Sequence, residues 1–151
     1  AYEEFFEKAL LQNRPFLVKN VADSWRATAE WALPGGRVAW QRLAQDFGTC
    51  RVPVALCGEQ QYNDQRREEM TVGEFVERAV QGKEQIYLKD WHLVQQEAHF
   101  GAYDVPLMVS DDWINAHWDH LAERDDYRFV YAGTKGSFTP LHCDVFHSFS
   151  W

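Results

Sequence analysis

Apolar residues along the chain alternate between helical and extended spacing. Over residues 2–12, Phe5, Phe6, Ala9 and Leu10 recur on one helical face, while Glu3, Glu4, Glu7 and Lys8 fill the other positions. Pro15 interrupts that pattern, and Phe16-Leu17-Val18 reads as a short buried strand. Trp25, Trp31 and Trp40 surround the turn Pro34-Gly35-Gly36. After it, Val38, Leu43, Ala44 and Phe47 predict a helix closed by Gly48. Val52, Val54 and Leu56 alternate as a strand, and Pro53, which has no N–H to give a ladder, predicts an edge position.

Residues 58–70 are polar and aperiodic and read as a loop. Thr71 and Glu74 have capping-box spacing ahead of Phe75, Val76, Ala79 and Val80, and Gly82 ends that helix. Ile86 to Trp91 reads as a strand. A helix starting near Asp111 carries Trp113, Ile114, Ala116 and Leu121. Arg128 to Ala132 is a strand, Gly133 to Gly136 a turn, and Phe138 onward a strand again. The pattern predicts a single α+β unit that becomes more β-rich toward residue 151, with neither repeat nor linker.

Composition narrows the function classes. Seven Trp, six Tyr and ten Phe in 151 residues suit a packed core and argue against disorder. A formal charge of −8 disfavours phosphate-driven nucleic-acid binding and suits a basic partner. No apolar run reaches the ~18 residues that a membrane helix needs. Three cysteines without paired spacing (Cys50, Cys57 and Cys143) fit a reducing compartment, so a cytoplasmic location is expected, with a nuclear one as the alternative. Ala1 opens directly into a helical pattern and Trp151 falls within a strand pattern, so both ends read as the edges of a fragment.

The candidate chemistry lies in the last quarter. Asp144 stands in the apolar stretch Leu141-His142-Cys143-Asp144-Val145-Phe146, where a carboxylate is costly to bury without a partner. On a strand, residues i and i+2 share a face, ~7 Å apart at Cα for a rise of ~3.3 Å per residue, so His142 and Asp144 project together. That is the H-x-D portion of a 2-His-1-carboxylate iron site, and Thr139 just before it offers a hydroxyl to an anionic group. On spacing alone, a buried His–Asp hydrogen bond is the better account of the pair, since so short a motif recurs by chance. Cys143 points to the opposite face and reads as core. His117-Trp118-Asp119-His120 repeats H-x-D on a helix, where i and i+2 diverge, so these read as surface histidines. His92 and His99 read as solvated or helix-terminal. Cys50 and Cys57 are too far apart for a zinc knuckle and read as core residues.

Tyr127-Arg128-Phe129-Val130-Tyr131-Ala132-Gly133, followed by Phe138-Thr139-Pro140-Leu141-His142-Cys143-Asp144-Val145-Phe146, resembles the start of a JmjC (jumonji C) domain. The resemblance extends through Val52-Pro53-Val54-Ala55-Leu56-Cys57-Gly58, Tyr62-Asn63, Tyr87-Leu88-Lys89-Asp90-Trp91-His92-Leu93, Asp112-Trp113-Ile114-Asn115 and Ser148-Phe149-Ser150-Trp151, and so covers nearly the whole chain. It implies an N-terminal α/β region (1–126) leading into the first strands of a double-stranded β-helix, a cupin-like jelly roll (127–151). It also implies Fe(II), 2-oxoglutarate and O₂. His142 and Asp144 become metal ligands, and Thr139 and Tyr87 bind the distal carboxylate of 2-oxoglutarate. The third ligand, a His, and a carboxylate-pairing Lys are expected beyond Trp151. The branch resembled hydroxylates a lysine of a protein substrate, a translation release factor. Histone lysine demethylation is the enzymatic alternative, and an inactive truncated isoform serving as a binding module is the third reading. Two positions depart from the branch: Cys143 stands where Ala is usual and His147 where Arg is usual.

Overall fold

The structure is a computed structural model describing residues 2–61, 64–121 and 125–144. The chain opens with α1 (Tyr2–Phe5), which continues as a π-turn over Phe6–Leu10. That wider turn changes the predicted face. Phe5 and Ala9 are buried, whereas Phe6 and Leu10 stay exposed. Residues 16–18 form no strand, and Phe16, Leu17 and Val18 are all exposed, contrary to the sequence reading. An apolar run of three forms a strand only where a partner accepts its backbone groups, and none of the described residues pairs with it.

α2 (Arg26–Trp31) leads into the hairpin β1 (Ala32–Leu33) and β2 (Arg37–Val38). Its turn needs positive φ at Gly35 and Gly36. α3 (Trp40–Phe47) follows and ends at Gly48 as predicted, but in a right-handed conformation. Glycine is required there by space, because a Cβ would lie 2.4 Å from the Ala44 carbonyl oxygen.

β3 (Arg51–Gln61) and β4 (Asp64–Thr71) form a long antiparallel hairpin across most of the predicted 58–70 loop. The reading failed because β4 is the outermost strand. Its side chains are charged and paired, with Arg66 2.9 Å from Glu59 across the ladder and 2.9 Å from Glu68 along β4 itself. Tyr62 and Asn63 lie outside the described residues. α4 (Val72–Gln81) bears the predicted capping box: the Thr71 hydroxyl accepts from Glu74 N at 3.1 Å and Thr71 N donates to the Glu74 carboxylate at 2.7 Å. β5 (Ile86–Trp91) falls where predicted, followed by the single turn α5 (Leu93–Gln96). α6 (Trp113–Asp119) begins at the Asp112 cap. Its expected apolar face is reversed: Trp113 is exposed and Asn115 is buried, accepting from Tyr127 N at 2.8 Å. β6 (Val130–Gly133) completes a sheet of order β4-β3-β5-β6, antiparallel throughout.

β3 is therefore an inner strand, not the edge that Pro53 suggested. Its pairing with β5 starts at Val54, so Pro53 stands just outside that ladder. The core lies on one face of the sheet, where α3 and α4 pack Leu43, Phe47, Phe75 and Val76 against Val52, Val54, Leu88 and Trp91. Phe47 and Trp91 meet edge to face at 5.3 Å. No helix among the described residues is long and apolar enough to cross a membrane. The predicted strand from Phe138 is absent over 138–144, which runs irregular and exposed, and its continuation at 145–151 lies outside the described residues.

Candidate functional site

The face of the sheet away from the helices is built by a bulge in β5. Pairing with β6 shifts between Leu88 and Trp91, and Asp90 takes φ 55°. The extra residue lets both Leu88 and Trp91 enter the core and leaves Tyr87, Lys89 and Asp90 together on the other side. There Asp90 accepts a hydrogen bond from the Tyr131 hydroxyl at 2.8 Å and pairs with Arg67 at 2.9 Å. Burial first, and then the bond to Asp90, hold the Tyr131 phenol well above its usual range, and the nearby Asp144 carboxylate adds to the effect. The Tyr87 ring lies 6.0 Å from that of Tyr131, and the Lys89 ammonium sits 5.8 Å above the Tyr87 ring.

The segment 138–144 is tied to this face. The Phe138 carbonyl accepts from Gln65 Nε2 at 3.1 Å and from Cys57 Sγ at 3.8 Å. Phe138 is thus fixed over β3 and β4, while Asp144 lies within electrostatic reach of Tyr131 on β6. His142 Nε2 and Asp144 Oδ1 converge to 3.1 Å, although both side chains are more than half exposed. His142 Nδ1 lies 2.8 Å from the Pro140 carbonyl, which can only accept, so Nδ1 carries a proton and Nε2 turns toward the carboxylate.

One imidazole nitrogen and one carboxylate oxygen fit a borderline divalent cation such as Fe(II). Ligand atoms on adjacent vertices of an octahedral ion with bonds of ~2.1 Å stand ~3 Å apart. A second ring nitrogen donating to a carbonyl is the usual support of a metal-bound histidine.

His142 and Asp144 therefore come together as predicted, and Tyr87 lies on the sheet face that their segment is tied to. Thr139, next to the anchored Phe138, is exposed and its hydroxyl makes no hydrogen bond among the described residues. Two supporting expectations fail because 138–144 is not a packed strand: Asp144 is not buried, and Cys143 is exposed instead of lying in the core. Cys50 and Cys57 are buried, and His99, His117 and His120 are exposed, as read. His92 precedes α5 with its ring 5.0 Å from that of Phe129, and its buried Nδ1 has no hydrogen-bond partner among the described residues. His147 lies outside the described residues, among which no three His, Cys, Asp or Glu side chains gather for a metal. Sequence reading missed Gln65, Lys89, Asp90 and Tyr131 as members of one face. The lysine and aspartate in the middle of an otherwise apolar strand were the available signal.

The cupin-like domain family matches residues 2–150. An Arabidopsis thaliana protein named arginine-specific demethylase JMJ20 is 41% identical over 100% of this chain and 37% of its own length. The 2-oxoglutarate and iron-dependent oxygenases named JMJD4 of Gallus gallus and Homo sapiens are each 38% identical, over 99% and 100% of this chain and 37% and 38% of their own lengths. The chain thus spans less than two-fifths of the length of each of these three relatives.

Proposed function

The chain belongs to the cupin-like domain family, and on that premise we propose that it carries part of the active site of an Fe(II)- and 2-oxoglutarate-dependent oxygenase. The observation that carries the reading is the convergence of His142 Nε2 and Asp144 Oδ1 at 3.1 Å, with Nδ1 braced on Pro140. The JMJD4 relatives, named as 2-oxoglutarate and iron-dependent oxygenases, support it. The third ligand is taken to come from outside these 151 residues, so the isolated chain is expected to be inactive.

Bound there, iron, 2-oxoglutarate and O₂ supply an oxidant for an unactivated C–H bond, yielding succinate and CO₂ and placing one oxygen atom on the substrate. The chain's own residues prepare that site. Gln65 and Cys57 hold the Phe138 carbonyl, Pro140 sets the tautomer of His142, and the sheet face bearing Tyr87 forms a wall against which the cosubstrate is oriented. Thr139 and Tyr87 are assigned to its distal carboxylate. The substrate proposed is a lysine side chain of a protein, with a translation release factor as the candidate and the cytoplasm as the compartment. The net charge of −8 agrees with a basic target segment.

Demethylation of arginine is the second reading, favoured by the name of the 41% identical relative. Mass spectrometry of products from the full-length protein separates the two. Hydroxylation adds one oxygen atom to the substrate, whereas demethylation removes a methyl group and releases formaldehyde. Full succinate production after Asp144→Ala would overturn the metal-ligand assignment.

A further inference from the structure

Gln65 lies on β4 two residues from Arg67 and shares the polar face of the sheet with it. It is only 6% exposed, and its amide is half used. Nε2 donates to the Phe138 carbonyl at 3.1 Å, whereas Oε1 is buried and has no hydrogen-bond partner among the described residues. Turning the amide over would set two acceptors against each other, so the nitrogen belongs at Phe138. A buried acceptor left unmet destabilises the fold, so stability alone gives no reason for an amide here. The one bond it makes does give a reason. The Phe138 carbonyl and the Thr139 N–H belong to one planar peptide unit, and holding its oxygen sets the plane from which Thr139 starts. Pro140 then confines Thr139 to extended backbone, so little rotation is left between the anchored carbonyl and the Thr139 side chain. Cys57 adds only the weaker thiol contact at 3.8 Å.

We propose that Gln65 is a positioning residue of this site: through the Phe138–Thr139 peptide it sets the Thr139 hydroxyl in place for the distal carboxylate of 2-oxoglutarate. The inference rests on the oxygenase reading and extends it to a side chain that touches neither metal nor cosubstrate. The Thr139 hydroxyl has no hydrogen bond of its own among the described residues, so its placement comes through the backbone. The unmet acceptor of Gln65 weakens the resting fold, while the anchored carbonyl preorganises an otherwise exposed segment for its ligand.

The test uses the full-length protein loaded with manganese(II), which keeps it catalytically silent, with 2-oxoglutarate titrated in by calorimetry. Gln65→Met, of similar length but unable to donate, should weaken 2-oxoglutarate binding by about five- to tenfold, the contribution of one net hydrogen bond. Metal content should stay unchanged. The ligand-free melting temperature should stay at or above the wild-type value, because the unmet acceptor is gone. Thr139→Ala should weaken binding to a similar degree, and adding Gln65→Met to it should weaken it no further, since the amide acts only through that hydroxyl. In turnover with iron, the KM for 2-oxoglutarate should rise in Gln65→Met while kcat at saturation holds. Equal 2-oxoglutarate affinity in wild type and Gln65→Met, or losses that add in the double variant, overturns the inference and leaves the oxygenase reading standing. A lowered ligand-free melting temperature overturns it in favour of a general structural role. Wild-type protein that takes up neither metal nor 2-oxoglutarate overturns both readings.

Discussion

Pro140 contributes a carbonyl oxygen that can only accept, so the proton on the His142 ring stays at Nδ1 and the Nε2 lone pair is presented beside the Asp144 carboxylate. At 3.1 Å these two atoms can share a proton, as an imidazolium–carboxylate pair, or a bound metal cation. His142→Ala and Asp144→Ala in the full-length protein should each abolish stoichiometric Fe(II) retention, read by metal analysis after gel filtration, with little change in folded stability because both side chains are over half exposed. A second residue-scale outcome concerns Tyr131. Its phenol is raised by burial and by the bond to Asp90, so the fold favours the protonated form. That contribution is fully present below the ordinary tyrosine value of ~10 and is lost as pH rises through the higher folded value. Burial also raises Tyr103, so absorbance titration should show more than one late tyrosinate, with the latest of them lost in Tyr131→Phe. The H-x-D spacing made His142 and Asp144 legible in the sequence. The Tyr131–Asp90 bond joins residues 41 positions apart through a bulge, and no local pattern encodes it.

Among the elements, α4 was the most readable because its signals are local: a cap, its reciprocal glutamate, an apolar stripe and a left-handed Gly82. Thr71→Ala should cost about 1 kcal/mol in urea unfolding. The Glu74 carboxyl is held below its usual range by the Thr71 backbone N–H first and by its hydroxyl second. Its contribution is present above pH ~4.3 and fades as pH falls through the lower folded value, so Glu74→Gln should flatten the acid limb of the stability curve. β4 was unreadable for the opposite reason. Its composition, Asp-Gln-Arg-Arg-Glu-Glu-Met-Thr, is that of a loop, and only the ladder to β3, with the Arg66–Glu59 pair across it, makes it a strand. Strand identity there is a tertiary property that no window of sequence contains. The 138–144 segment departs in the other direction: an apolar stretch read as a strand runs instead as irregular backbone held at Phe138.

Over the whole molecule, one sheet separates two kinds of order. Its helix-covered face is apolar and tightly packed around Phe47, Phe75 and Trp91, and the periodicity of the sequence announced it. Phe75→Ala, at a fully buried position, should cost about 3–5 kcal/mol, a large part of the 5–15 kcal/mol typical of a domain. Chemical denaturation followed by tryptophan fluorescence would measure it. The other face is polar, with its members drawn from β4, β5, β6 and 138–144. Only the fold could show that they meet.

The bulge between Leu88 and Trp91 turns this division into a constraint on counting. Residue identities along β5 can change one at a time at graded cost, but removing a single residue between those two positions would erase the bulge and leave one side chain where Lys89 and Asp90 now share the polar face. Insertions and deletions should therefore be excluded from residues 86–91 among functional descendants of this chain, even where substitutions accumulate. In this strand, length is inherited more strictly than chemistry.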